Sequence, residues 1–133
     1  MRALLDTSFF VATESGRPLG EMPGVTETEI SVITLAELTI GVLVAKEDVR
    51  AQRVATLSAV ESTWDPLPIG AEVARTFARI VSDLRARQQR VPILDALIAA
   101  TAIVEQIPVV TRDRDYDAIA GANVIRIGNT RPD

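Results

Sequence analysis

Cysteine and histidine are both absent from the 133-residue chain. Without cysteine there is no disulfide, no thiol nucleophile and no thiolate metal site. Without histidine there is no imidazole base, no Ser-His or Cys-His nucleophile pair, and none of the usual zinc sites. Aromatic residues make up only 4% of the chain, too few for the base-stacking platforms of RNA-recognition sheets. No apolar run reaches the length of a membrane span. The opening run Arg2-Ala3-Leu4-Leu5 is interrupted by Asp6 before it reaches the length of a signal core, so a cytoplasmic protein is expected. Positive charge is also scarce: the formal net charge is −4, with one lysine, Lys46, among fourteen basic residues. The whole-protein field therefore does not advertise nucleic-acid binding, although guanidinium is the better phosphate fork. What these absences leave is oxygen-ligand chemistry, which suits magnesium or manganese.

Acidic residues occupy particular places. Asp6 closes the opening apolar run, and Glu37 sits early in a long apolar stretch. Asp95 follows Pro92 at the start of another such stretch, and Asp113 lies two residues past Val109-Val110-Thr111. Each stands at the mouth of a different expected βα unit. In an open parallel sheet, ligands bind beyond the carboxyl ends of the strands, where helix N-termini also point. Carboxylates gathered there repel one another unless a cation sits among them, so a divalent-metal site is the first hypothesis. Taken singly, each acid also has a structural role open to it. Asp6 can cap the next helix, Thr34-Leu35-Ala36-Glu37 has the form of a capping box, Asp95 complements a helix dipole, and Asp113 suits a turn.

The length and the 47% hydrophobic and 24% charged content fit one globular domain over residues 1–133. A short buried strand is expected over 2–6, then a helix over 7–13 capped by Asp6 or Thr7. Residues 15–24, with Gly16, Pro18, Gly20, Pro23 and Gly24, read as a loop. A second strand over 29–32 precedes helices over 34–45 and 48–62, and Asp65-Pro66-Leu67-Pro68 reads as an edge strand. The clearest helix spans 70–89, because Val73, Phe77, Ile80, Val81 and Leu84 share one face. An alanine-rich helix over 95–106, suited to close packing, leads into a strand over 107–111. A helical turn over 114–119 and a last strand over 123–127 complete the series. Alternating strands and helices imply an α/β fold with a short parallel sheet flanked by helices on both faces, Rossmann-like in kind.

The pieces Leu4-Leu5-Asp6-Thr7-Ser8, Leu35-Ala36-Glu37-Leu38, Leu94-Asp95-Ala96-Leu97-Ile98-Ala99-Ala100-Thr101-Ala102 and Val110-Thr111-Arg112-Asp113-Arg114-Asp115-Tyr116 stand in the order and spacing of PIN-domain endoribonucleases. The chain resembles the VapC toxins of bacterial toxin–antitoxin pairs over essentially its whole length, with residues 94–102 the most specific segment. The resemblance implies a Mg2+- or Mn2+-dependent endoribonuclease that hydrolyses RNA phosphodiester bonds. It places Asp6, Asp95 and Asp113 nearest the metal, Glu37 acting through water or as a base, and Asp115 as an accessory acid. Ser8 and Thr111 would orient carboxylates. It further implies a cognate antitoxin partner and a homodimer.

Arg112 and Arg114 flank Asp113 and are candidates for gripping phosphates; solvated turn arginines are the simpler alternative. Arg17 in the Gly/Pro loop and the helix-ending cluster Arg85, Arg87 and Arg90 are given structural readings, the latter favoured by the C-terminal dipole. A receiver-like phosphoacceptor needs a lysine near its last strand, but Lys46 lies far from it, and an Asp-x-Asp phosphatase is ruled against by Asp6-Thr7-Ser8. The remaining alternatives are a catalytically silent binding module of the same fold and an orphan or housekeeping nuclease.

Overall fold

Four short strands form one parallel sheet in a computed structural model that describes residues 1–14, 16 and 22–128. The strands are β1 (Arg2–Leu5), β2 (Glu27–Glu29), β3 (Val109–Thr111) and β4 (Val124–Arg126), in the spatial order β2-β1-β3-β4. Five helices connect them: α1 (Thr7–Glu14), α2 (Val32–Leu43), α3 (Glu47–Thr63), α4 (Ala71–Ala86) and α5 (Ile93–Glu105). A 3-10 turn (Asp115–Ala118) links β3 to β4.

The pleat of the central strands sorts the core into two halves. Leu4 and Val109 face one side, where Val73, Ile80, Leu84 and the alanines of α5 pack. Leu5 and Val110 face the other, with Phe10, Leu38 and Val60 from α1, α2 and α3. The expected α/β fold with helices on both faces is therefore observed. Ala96, Ala99, Ala100 and Ala102 are all essentially inaccessible, so α5 lies close against the sheet as its small side chains allow. No described helix is long and apolar enough to cross a membrane.

The second strand lies earlier than expected, at Glu27–Glu29 rather than 29–32. Backbone pairing with β1 (Arg2↔Glu27, Ala3↔Thr28, Leu4↔Glu29) makes this polar segment a strand, and its half-exposed edge position removes any apolar signal. The apolar residues after it turn into α2 instead. Ser31 caps that helix, accepting a hydrogen bond from the Ile33 amide at 2.9 Å, so Thr34 is a buried helical residue and the capping box with Glu37 is not formed. The edge strand expected at 65–68 reduces to one parallel bridge, Ser31↔Leu67. The clearest helix stops at Ala86, three residues early, because Gln88 takes a left-handed φ of 56°. Most of the Gly/Pro segment over 15–24, including Arg17, lies outside the described residues.

The chain runs from β1 outward to β2 and then crosses to β3 on the other side of β1. This places the reversal of strand order between β1 and β3, where open α/β sheets hold ligands. Register pairs Leu5 with Val110, so Asp6 and Thr111 emerge side by side at that point.

The close approach of α5 sets an expectation. Ala99→Leu should destabilise the protein by about 1–3 kcal/mol through overpacking, measured as a lower midpoint in urea with an unchanged slope.

Candidate metal centre

Asp6 leaves the end of β1 only 2% exposed. One carboxylate oxygen accepts hydrogen bonds from the Ser8 amide at 3.0 Å and the Ser8 hydroxyl at 2.6 Å. The other accepts from the Thr111 hydroxyl at 2.7 Å. Asp6 therefore caps α1 and at the same time ties β1 to β3. The same two hydroxyls then accept backbone amides of the next loop: Arg112 donates to Ser8 Oγ and Asp113 to Thr111 Oγ1, each at 2.9 Å. Ser8 and Thr111, expected to orient carboxylates, both lie in direct hydrogen-bonding contact with Asp6.

Around Asp6 the acids crowd. Carboxylate oxygens of Asp95, Asp113 and Asp115 lie within 4.8 Å of one another. Burial pushes the half-buried Asp95 carboxyl up to about 7, helped by a hydrogen bond with Asp115 and by the charges of Asp113, Asp115 and Asp6. Asp113 is raised by burial and by Asp115, against which the guanidinium groups of Arg112 and Arg126 act. Asp6 is raised chiefly by burial, opposed by its Ser8 and Thr111 hydrogen bonds. Asp115, expected as an accessory acid, belongs to the tight group, and Asp6 stands just outside it within electrostatic reach.

Glu37 approaches from α2. It accepts a 2.6 Å hydrogen bond from Thr7 Oγ1 and lines a cleft of about 470 Å³ with Thr7, Ser8, Val11, Arg112 and Asp113. Asp113 thus belongs both to the tight acidic group and to the cleft. Arg112 lines the cleft, whereas Arg114 is exposed and is not one of its lining residues. Arg87 pairs with Asp83 at 2.7 Å and also meets the Ala118 carbonyl, in keeping with its structural reading.

Three contributors had no signal in the sequence. Thr7 orients Glu37. Arg126 on β4 donates to the Asp113 carbonyl and to the Asp117 carboxylate, fastening the acidic loop from its far side. Tyr116 is buried with its hydroxyl within reach of Asp6, though not in a direct hydrogen bond among the described residues. Burial and the charges of Asp6 and Asp95 push its ionisation far above the ordinary phenol value, so it remains a neutral group beneath the acids. Gly128, at φ +88°, lets Arg112 pass over it; a Cβ there would come within 2.7 Å of Arg112 Nε.

The donor set fits a hard divalent cation. Every charged donor is a carboxylate, several are subject to mutual repulsion, and the chain has no cysteine or histidine to offer instead.

A fold and site of this kind define a class of protein, and comparison with known families agrees. Residues 3–122 match the PIN domain model. The chain is 45% identical to Ribonuclease VapC5 of Mycobacterium tuberculosis, over 93% of this chain and 92% of the relative. It is 40% identical to Ribonuclease VapC4 of the same organism, over 95% and 97%. The crystal structure of VapBC-5, a member of the VapBC family of toxin-antitoxin systems from that organism, superposes with a TM-score of 0.84 at 39% identity, covering 94% of this chain and 98% of that one. The chain belongs to the PIN-domain family, and within it to the VapC group.

Burial and the neighbouring charges at Asp95 together give a test with a definite sign. The folded state raises the Asp95 pKa from the ordinary value to about 7, so between about pH 4 and 7 the folded protein binds more protons than the unfolded one. Metal-free stability should then fall as pH rises through that window. The expected result is a melting temperature a few degrees higher at pH 5 than at pH 7.5, with the difference reduced in Asp95→Asn and that variant at least as stable as the parent at pH 7.5. A clear loss of stability in metal-free Asp95→Asn at pH 7.5 would instead make Asp95 a structural hydrogen-bond partner.

Proposed function

We propose that the protein is a metal-dependent endoribonuclease toxin that hydrolyses RNA phosphodiester bonds and is inhibited by a cognate antitoxin. The observation that carries this reading is the convergence of Asp6, Asp95, Asp113 and Asp115 at the strand-order reversal, beside a cleft lined by Glu37 and Arg112. Identity to relatives named as VapC ribonucleases supports the reaction class.

In this reading Asp6, Asp95 and Asp113 hold the ion, with Asp115 as an accessory ligand and Glu37 acting through water or as a base. A bound Mg2+ or Mn2+ supplies charge stabilisation at the phosphate and acidifies the attacking water. Ser8 and Thr111 hold both oxygens of Asp6, the contacts of groups that would orient a metal-binding carboxylate. Thr7 holds the Glu37 carboxylate in the cleft, where it accepts the proton of a water attacking phosphorus in line. Arg112 lies at the cleft wall, placed to fork a phosphate beside the scissile one; Arg114, exposed and off the cleft, is the weaker candidate contact.

The partner side of the proposal rests on the similar VapBC-5 structure, which comes from a toxin-antitoxin system. A cognate antitoxin would cover the acidic cleft, and the protein itself would form a homodimer.

The test is cleavage of a single-stranded RNA pool by purified, antitoxin-free protein in Mg2+ or Mn2+ and in EDTA, alongside Asp6→Asn prepared identically. The expected outcome is cutting abolished by EDTA and reduced at least about 100-fold in Asp6→Asn, a loss at the upper end of those seen when ligand-orienting groups are removed. Folded protein that cuts no RNA with either metal would favour the silent binding module. Cutting that survives in Asp6→Asn would dissociate the activity from this site.

A further inference from the structure

The acidic cleft does not end at Glu37. A second, smaller hollow of about 100 Å³ continues it between α1, α2 and α3, and Thr7, Val11 and Glu37 line both. Glu14, Gly41 and Arg53 close its far end. The two hollows together make a trough with Glu37 shared between them, Arg112 and Asp113 in the first hollow and Arg53 with Glu14 in the second.

Arg53 is held at the rim without being used up there. Its Nη1 donates to the Gly41 carbonyl at 3.3 Å, and its Nε lies 3.6 Å from Glu14 Oε1. The first contact is long and the second exceeds hydrogen-bonding distance. The side chain keeps 42% of its exposure, and a guanidinium has five N–H donors to offer. Gly41 admits it: a Cβ at that position would meet Arg53 Nη1 at 3.3 Å. Gly41 is one helical turn beyond Glu37 on the same face of α2, about 6 Å along the axis. That matches one or two nucleotides of a stacked strand, whose rise is about 3.4 Å each.

We propose that Arg53 forms a second phosphate subsite, gripping the RNA backbone one or two nucleotides from the phosphate that sits at the carboxylates. This rests on the nuclease reading above. A polyanionic strand approaching a chain of net charge −4 needs local cations to hold it across an acidic floor. The planar fork of arginine suits that task better than a point charge. With Arg112 in one hollow and Arg53 in the other, the strand would lie over Glu37.

The probe is a fluorescently labelled, random-sequence single-stranded RNA 12-mer, followed by anisotropy across a series of salt concentrations. Calcium serves as the hard cation, and Glu37→Gln is present in every protein to suppress cutting. On that background Arg53→Met, which keeps the aliphatic stem, is expected to weaken binding and to lower the slope of log affinity against log salt by about 0.7, one single-strand phosphate contact. Arg53→Lys should keep the slope, because the charge remains. Glu14→Gln breaks the strap but leaves the guanidinium, and should bind RNA as tightly as the background or more so. An unchanged slope in Arg53→Met overturns the subsite while leaving the nuclease reading intact. Equal weakening by Glu14→Gln and Arg53→Met also overturns it, making Arg53 a strap between helices. A background protein that binds no RNA at all overturns the nuclease reading, and the subsite with it.

Discussion

A carboxylate sealed from solvent between two parallel strands constrains much of this molecule. Asp6 sits where the strand order reverses, and its two oxygens take up the Ser8 amide, the Ser8 hydroxyl and the Thr111 hydroxyl. Those hydroxyls go on to hold the amides of Arg112 and Asp113. The start of α1, the end of β3 and the course of the acidic loop therefore all depend on one buried group. Its burial opposes ionisation, and so does the charge of Asp113, while the surrounding hydrogen bonds oppose both. Removing the partners of such a group leaves a desolvated acceptor unsatisfied, which is why the loop has little freedom to relax away from it.

The neighbouring acids add a second layer of conflict. Carboxylate oxygens of Asp95, Asp113 and Asp115 lie within 4.8 Å of one another, and the charges of Asp113 and Asp115 add to burial in raising the Asp95 pKa. Arg112 and Arg126 offset only part of this, acting on Asp113. Arg126 reaches the loop from β4 by gripping a backbone carbonyl and Asp117, so it keeps the loop closed without neutralising its centre. Tyr116 closes the floor with a neutral hydroxyl. The protein thus holds together a site that repels itself, the arrangement expected where stability is given up for function.

Much of this was legible in the sequence, for reasons that can be named. Leu4, Leu5, Val109 and Val110 are strongly apolar because both faces of their strands are buried, and the helical period of Val73, Ile80 and Leu84 is clear because only one face of α4 is. Asp6 and Asp113 were recognisable because each follows a strand, and Asp95 because it opens a helix, whereas Glu37 lies in the second turn of α2. β2 was displaced because an exposed edge strand such as Glu27-Thr28-Glu29 is defined by its neighbour's backbone and carries no hydrophobic pattern. The cap on α2 was misplaced because Ser31 and Thr34 are both capping types, and the pairing of Ser31 with Leu67 starts the helix at the earlier one. Thr7 and Arg126 were not legible as neighbours of these acids. Their partners come from other elements, and no local spacing records such contacts.

In the proposed function these carboxylates share a divalent cation. Thermal unfolding at pH 7.5 in EDTA, then across a titration of Mg2+ or Mn2+, tests it without reference to any substrate. A cation bound only by the folded state stabilises it by about 2.7 kcal/mol at a hundredfold excess over its Kd. The melting temperature is expected to climb with metal by several degrees, and the rise to be largely lost in Asp113→Asn. A melting temperature indifferent to both metals, or a rise that persists undiminished in Asp113→Asn, would contradict it.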